Sequence, residues 1–219
     1  MIAFVSATKG KAKDSLLYHS ANDFLPIAWA EDNTDPLPQV YNDAIDDFPI
    51  KDFDWIVFVH DDVIIEAPEA IERQIYDLGT NFDVIGLAGT REVKLQEPAL
   101  WHLMGDRSQH RGAVAHLSDS TGKKFMTSFG CYPDRVVLID GVFMAVKTEV
   151  FNKVRFDTDN PAGFHFYDLD FSMACHKAGY KVGVGDIVIT HASPGLRQFT
   201  DEWKKGQDWF LKKWKGGIK

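Results

Sequence analysis

Three short stretches of the sequence carry side chains that can do chemistry if a fold gathers them. His60-Asp61-Asp62 follows the apolar run Trp55 to Val59. Adjacent carboxylates at the end of an apolar strand are costly to bury unless something positive pairs with them. A divalent cation does so, because carboxylate oxygens are hard ligands. A solvated turn, or an acid capping the next helix, accounts for the pair without chemistry. Asp168 lies in Phe164-His165-Phe166-Tyr167-Asp168-Leu169-Asp170, which opens an amphipathic helix. Aspartate is a preferred cap and first-turn residue for structural reasons alone. Among aromatics, however, desolvation raises a carboxyl pKa towards that of a general base. His191 ends the run Ile189-Thr190. A lone histidine is usually structural; it gains meaning if it converges with Asp62, since imidazole beside carboxylate suits Mn²⁺ or another divalent ion.

The surrounding elements decide whether these stretches can meet. Ile2 to Ser6 reads as a strand, broken by Lys9-Gly10-Lys11, with Asp14 expected to cap a helix through Ser20. Pro26 to Ala30 reads as a second strand ending at Glu31-Asp32-Asn33, and Leu37 to Phe48 has helical spacing. Trp55 to Val59 suits a strand covered on both faces. Pro68 opens a helix to about Leu78, and Asp83 to Ala88 reads as a fourth strand. The alternation predicts an α/β domain with a mostly parallel central sheet and ligands at the carboxyl ends of its strands. Glu31, Asp32, Asp61 and Asp62 fall at such ends. Residues from about 90 to 135 predict loops and a hairpin, a loop-rich flap over the site. Strands are then expected at Val136 to Ile139 and Val142 to Val146, and a helix near Thr148 to Val154. Tyr167 to Ala178 reads as a helix ended by Gly179, and Lys181 to Thr190 as a strand pair or one bent strand. Without repeats or linkers, residues 1–219 are expected to form a single domain.

Composition narrows the function classes. The 219 residues are 45% hydrophobic, enough for a sizeable core without metal or disulfide staples. Lys plus Arg number 24 against 32 Asp plus Glu, a net charge of −8, which argues against nucleic acid as a partner. Cys131 and Cys175 are far apart and read as free thiols of a reducing compartment. No apolar run exceeds five residues and no signal-like segment opens the sequence, so a cytoplasmic protein is expected. Residues 200–219 predict an amphipathic basic helix with Trp203, Phe210 and Trp214 on one face. It has two readings: packing on the domain, or peripheral contact with an anionic membrane at the inner face.

The ordered set Tyr41-Asn42-Asp43-Ala44-Ile45, His60-Asp61-Asp62-Val63, Asp140-Gly141-Val142-Phe143-Met144, Phe164 to Asp170, Ala178-Gly179-Tyr180-Lys181 and His191 resembles the family 2-like glycosyltransferases of the GT-A fold, in their short single-domain form. The resemblance implies a Rossmann-related, three-layer fold. It also implies an inverting transfer of a sugar from a nucleotide diphosphate-sugar, most naturally a UDP-sugar, to an acceptor hydroxyl on a glycan or a lipid-linked acceptor. Carried over by position, Ser6, Ala7 and Thr8 look like the first strand end that touches the nucleotide. Glu31 or Asp32 matches the acid that bonds the base, and Asn42 the helix residue facing the nucleotide. Asp61 matches the acid near the ribose, Asp62 and His191 the ligands of Mn²⁺ or Mg²⁺, and Asp168 the catalytic base. The position before that base is Tyr167, where the family has Glu, and Asp170 is the alternative register. Asp140-Gly141 looks like the family's turn beside the acceptor, and Trp101 is a candidate platform for the acceptor sugar. Two other classes compete: a sugar-phosphate nucleotidyltransferase, for which Thr8-Lys9-Gly10-Lys11 is a faint phosphate loop, and a non-catalytic nucleotide- or glycan-binding module.

Overall fold

The computed structural model describes residues 1–47, 52–118, 121–193 and 198–216. In chain order the first half runs β1 (Ile2–Ala7), α1 (Leu16–Ala21), β2 (Ile27–Ala30), α2 (Leu37–Asp47), β3 (Trp55–Val59), β4 (Val63–Ile65), α3 (Pro68–Gly79), β5 (Val84–Gly86) and β6 (Ala88–Thr90). There follow α4 (Trp101–Met104), β7 (His110–Leu117), β8 (Lys124–Gly130), β9 (Asp134–Arg135), β10 (Leu138–Ile139), β11 (Phe143–Lys147), α5 (Tyr167–Lys177), β12 (Val182–Val184), β13 (Ile189–His191) and α6 (Asp201–Lys213).

The described strands make two sheets. One has the order β2-β1-β3-β11-β5-β12-β9; the other has β10-β6-β7-β13-β4, with β8 paired to β7. The expected α/β architecture is present, with a central sheet that is mixed and not purely parallel. β1 is parallel to both β2 and β3, whereas β11 runs antiparallel to β3 and to β5. The reason is the path of the chain: after β5 it crosses into the second sheet, where β10 runs antiparallel to β6, and the short turn 140–142 returns it to the first sheet as β11 with its direction reversed. Asp83 to Ala88, expected as one strand, and Lys181 to Thr190, expected as a strand pair or one bent strand, are each divided between the sheets. The first becomes β5 and β6, and the second β12 and β13.

Alternation along β3 explains why that whole run is apolar. Trp55, Val57 and Val59 share a core with Ile71, Ile75 and Leu78 of α3. Ile56 and Phe58 share the opposite core with Tyr41 and Ile45 of α2 and Phe171 of α5. The strand is thus buried on both sides, and its carboxyl end emerges between two packed layers.

Ser15, not Asp14, caps α1, its hydroxyl accepting from the Tyr18 N–H at 3.1 Å. Asp14 sits in a preceding 3₁₀ turn. The helix expected at Thr148 to Val154 is a 3₁₀ segment, Thr148–Asn152. α2 reaches Asp47, and Phe48 lies outside the described residues. The flap contains the expected hairpin, β7 with β8. α6 begins at the Thr200 cap, with Asp201 and Glu202 in its first turn and Lys212 and Lys213 in its last, complementing the helix dipole. Trp203, Phe210 and Trp214 are all buried, so of its two readings the packed one describes this apolar stripe. Residues 217–219 lie outside the described residues. No helix among the described residues is long and apolar enough to cross a membrane.

Candidate active site

Strand pairing brings His191 to Asp62. β13 runs antiparallel to β4, with His191 opposite Val63, and the Ala192 N–H donates to the Asp62 carbonyl at 2.9 Å. His191 Nε2 comes to 3.3 Å from Asp62 Oδ1. His60, two residues earlier in the same loop, has Nδ1 at 3.9 Å from that oxygen. Ligand atoms of His60, Asp62 and His191 all fall within 4.8 Å of one another. Asp62 Oδ1 and His191 Nε2 are buried atoms with no hydrogen-bond partner. Buried polar atoms are rarely left so, and two facing orphans, one carboxylate and one imidazole, form a donor set that fits a divalent cation. Burial opposes the charge of Asp62, but the neighbouring histidines outweigh it and lower its pKa. Burial likewise opposes imidazolium at His191, and the Asp62 carboxylate reverses the balance and raises its pKa. Asp61 does not join this group; its carbonyl accepts from the Leu17 N–H at 3.1 Å.

Asp168 occupies the first turn of α5. Its Oδ2 accepts the Gly141 N–H at 2.7 Å. A Cβ at position 141 would lie 2.7 Å from the Asp168 Cβ and collide with the Tyr167 hydroxyl, so only glycine permits this approach. The carboxyl opens on a cavity, yet burial, reinforced by the Asp140 charge, pushes its pKa up to about 7. The preceding Phe166 has φ of 65°, a left-handed conformation uncommon for a bulky residue. Such strain costs of order 1–3 kcal/mol and persists only where the surroundings impose it. Here Trp203 and Phe210 of α6 clasp the Phe166 ring at centroid distances of 5.3 and 5.9 Å. Gly206 admits that ring, since a Cβ there would come within 2.9 Å of it. Asp170, the alternative register, points to the other side. Its oxygens accept from Trp214 Nε1 and Lys213 Nζ, both at 2.8 Å.

Two cavities meet at this place. One, of about 310 Å³, is lined by His60, Asp62, Asp140, Gly141, Asp168 and His191 among others. The larger, about 830 Å³, is lined mainly by flap residues including Trp101, His116, Phe125 and Phe129. Asp140, His191 and Ser193 line both. Trp101 is itself buried, its ring edge-on to His110 at 5.2 Å and tilted on Phe129 at 5.3 Å, so it is a wall of the flap more than an exposed platform.

The remaining expected residues lie at the neighbouring strand ends. Ser6, Ala7 and Thr8 close β1, whose carboxyl end lies beside that of β3. Ser6 Oγ is buried without a partner, and Thr8 Oγ1 accepts the Gly10 N–H at 3.3 Å. Glu31 accepts the Ala12 N–H at 2.8 Å, and Lys11 pairs with both Glu31 and Asp32. None of these residues lines either cavity. Asn42 departs from its expected role. Its amide donates to the Phe156 carbonyl at 2.8 Å and accepts the Phe156 N–H at 3.2 Å, so both ends are engaged in holding a loop to α2. His60 and Tyr167 went unread as site residues. His60 stood in the quoted motif, but its value depends on a cross-sheet neighbour 131 positions away.

The fold has known counterparts. Mannosyltransferase PcManGT from Pyrobaculum calidifontis, solved in complex with GDP-Man and Mn²⁺, superposes with a TM-score of 0.51 at 12% identity, covering 90% of this chain and 58% of that one. The chain thus spans less than two thirds of that protein's length. A197 from STIV aligns with a TM-score of 0.46 at 18% identity, covering 88% of this chain and 82% of that one. No curated protein matches the chain at a significant level. The likeness to the mannosyltransferase shows the GT-A fold. The model of the glycosyltransferase like family matches residues 22–214, a span that contains the Asp62–His191 cluster, Asp168 and the helix that braces it, and the chain belongs to that family.

Proposed function

We propose that this glycosyltransferase moves a sugar from a nucleotide diphosphate-sugar to an acceptor hydroxyl with inversion at the anomeric carbon, using Asp168 as base and Mn²⁺ or Mg²⁺ at Asp62 and His191. One observation carries the reading. A carboxyl with pKa near 7 and a pair of orphaned ligand atoms open on the same cavity. A divalent cation, when bound, supplies the positive charge that a departing diphosphate requires. It also reconciles a net charge of −8 with an anionic donor.

The chain's own residues supply the rest. Asp168 accepts the acceptor hydroxyl's proton as the bond to the sugar forms, a contribution of about 10²–10⁴ in rate. The Gly141 N–H holds its Oδ2 in place, leaving the carboxyl to face the cavity. In this reading the donor enters along the carboxyl ends of β1 and β3, past Ser6, Ala7, Thr8 and Asp61, with Glu31 or Asp32 near the base. The acceptor enters through the flap cavity, past Trp101 to Asp140 and Gly141. The apolar lining of that cavity favours an acceptor with an apolar portion, as a lipid-linked glycan has. A UDP-sugar is the donor we favour, and the cytoplasm the compartment.

The test is a panel of nucleotide sugars incubated with Mn²⁺ and scored for slow donor hydrolysis. Mn²⁺-dependent release of nucleoside diphosphate from one donor is the expected result. Pyrophosphate released from a sugar phosphate and a nucleoside triphosphate would make the protein a nucleotidyltransferase. Donor binding without any turnover would make it a binding module.

A further inference from the structure

We propose that the Tyr167 hydroxyl fixes the tautomer of His60 so that its Nδ1 lone pair faces Asp62 and His191, completing a two-histidine, one-carboxylate set that prefers Mn²⁺ to Mg²⁺. The inference rests on the metal-dependent reading above and names a third protein ligand and the residue that orients it.

The geometry of three hydrogen-bonding groups carries the argument. His60 Nε2 lies 2.7 Å from the Tyr167 hydroxyl oxygen. That hydroxyl donates to the Gly141 carbonyl at 3.1 Å. A carbonyl oxygen only accepts, and a phenol has one proton to give. With that proton directed at Gly141, the phenol oxygen takes its short contact with His60 as an acceptor. His60 therefore carries its proton on Nε2. The Tyr41 hydroxyl also hydrogen-bonds that of Tyr167, and with a proton of its own it can fill the phenol oxygen's second acceptor site without taking the proton given to Gly141.

What remains on His60 is Nδ1, unprotonated, on the side of the ring where Asp62 Oδ1 lies at 3.9 Å. That oxygen is one of the two buried orphans, the other being His191 Nε2 at 3.3 Å from it. The lone pairs of His60 Nδ1 and Asp62 Oδ1 thus converge beside His191 Nε2. The other tautomer would present an N–H to the cluster and leave the Tyr167–Gly141 bond unmade. Outer partners that fix the tautomer of a ligating histidine are a general feature of metal sites. The departure at position 167 gains a reason: a carboxylate there has no proton for the Gly141 carbonyl, and a phenol does. Two imidazoles and one carboxylate favour first-row transition ions, while Mg²⁺ prefers oxygen ligands.

The experiment has two parts, neither of which reads activity. In metal-free protein at one fixed pH, ¹⁵N imidazole shifts report the His60 tautomer; a proton on Nε2 is expected, and a proton on Nδ1 overturns the proposal. Mn²⁺ is then titrated into wild type, His60→Ala and Tyr167→Phe by electron paramagnetic resonance, with electron spin-echo modulation used to count coupled imidazole nitrogens. Two nitrogens are expected in wild type and one in His60→Ala. Tyr167→Phe should weaken Mn²⁺ binding by about 10–100-fold with an unchanged circular dichroism spectrum. Mg²⁺ should compete for the wild-type site only weakly. One nitrogen in wild type, or two retained in His60→Ala, overturns the ligand assignment. If Mn²⁺ does not bind wild type at all, the metal-dependent reading fails with it, while the tautomer result stands on its own.

Discussion

Asp168 and Asp170 are two buried-side carboxyls two positions apart on α5, and they are treated in opposite ways. Asp170 is 2% exposed and fully answered: Lys213 and Trp214 of α6 meet its two oxygens, and Lys213 is shared with Asp157 at 2.5 Å. Burial pushes its pKa up, and the ion pair holds part of that rise back. Asp168 receives backbone N–H groups, from Gly141 and Leu169 among them, but no cation, and it sits with another acid, Asp140, on a cavity wall. Burial alone therefore does not mark a reactive acid. The mark is a buried acid left without a cation where a ligand can reach it.

Four substitutions or conditions can break that distinction. Asp168→Asn keeps an acceptor for the Gly141 N–H and should lower sugar transfer by about 10²–10⁴-fold at saturating donor. Turnover within tenfold of wild type would move the base elsewhere. Asp170→Ala should instead act on stability, by about 3 kcal/mol in urea unfolding, because it strips one side of a buried ion pair. If it abolishes transfer without destabilising the fold, the roles of the two acids are exchanged. Gly141→Ala should cost about 1–3 kcal/mol through overpacking against Tyr167 and Asp168, with transfer reduced beyond what the stability loss explains. The smallest effect is one of pH. Transfer requires ionised Asp168, so kcat/KM should rise as pH increases through about 7, and Asp168→Asn should lack that limb. Stability carries the opposite sign. The native pKa of about 7 lies above the unfolded value of about 3.9, so ionising Asp168 costs stability as pH rises between them. The urea midpoint of Asp168→Asn should gain on wild type from pH 5 to pH 8.

Much of this was legible in the sequence where the signal is local. The doubly buried β3 followed from its unbroken apolar run, α5 from the Gly179 that ends it, and α6 from the spacing of its aromatic face. The second sheet was not legible, because its strands are short and pair across long separations; β4, for instance, is three residues that find β13. For the same reason Asp62 and His191 were read as ligands through family likeness, while His60 was passed over. Asn42 illustrates the converse. Its position on α2 is as expected, but nothing local announces that a backbone at Phe156 will occupy both ends of its amide.

The clasp of α6 on Phe166 has a consequence for synthesis order. α6 follows Phe166, Asp168 and Asp170 in the chain, so it is synthesised after the residues it braces. Until it docks, Asp170 lacks its cation and Phe166 lacks the rings that hold it left-handed. A nascent chain, or one shortened before Thr200, can own every proposed ligand and the base and still present Asp168 in the wrong place. Docking of α6 and assembly of the site are thereby made the same event.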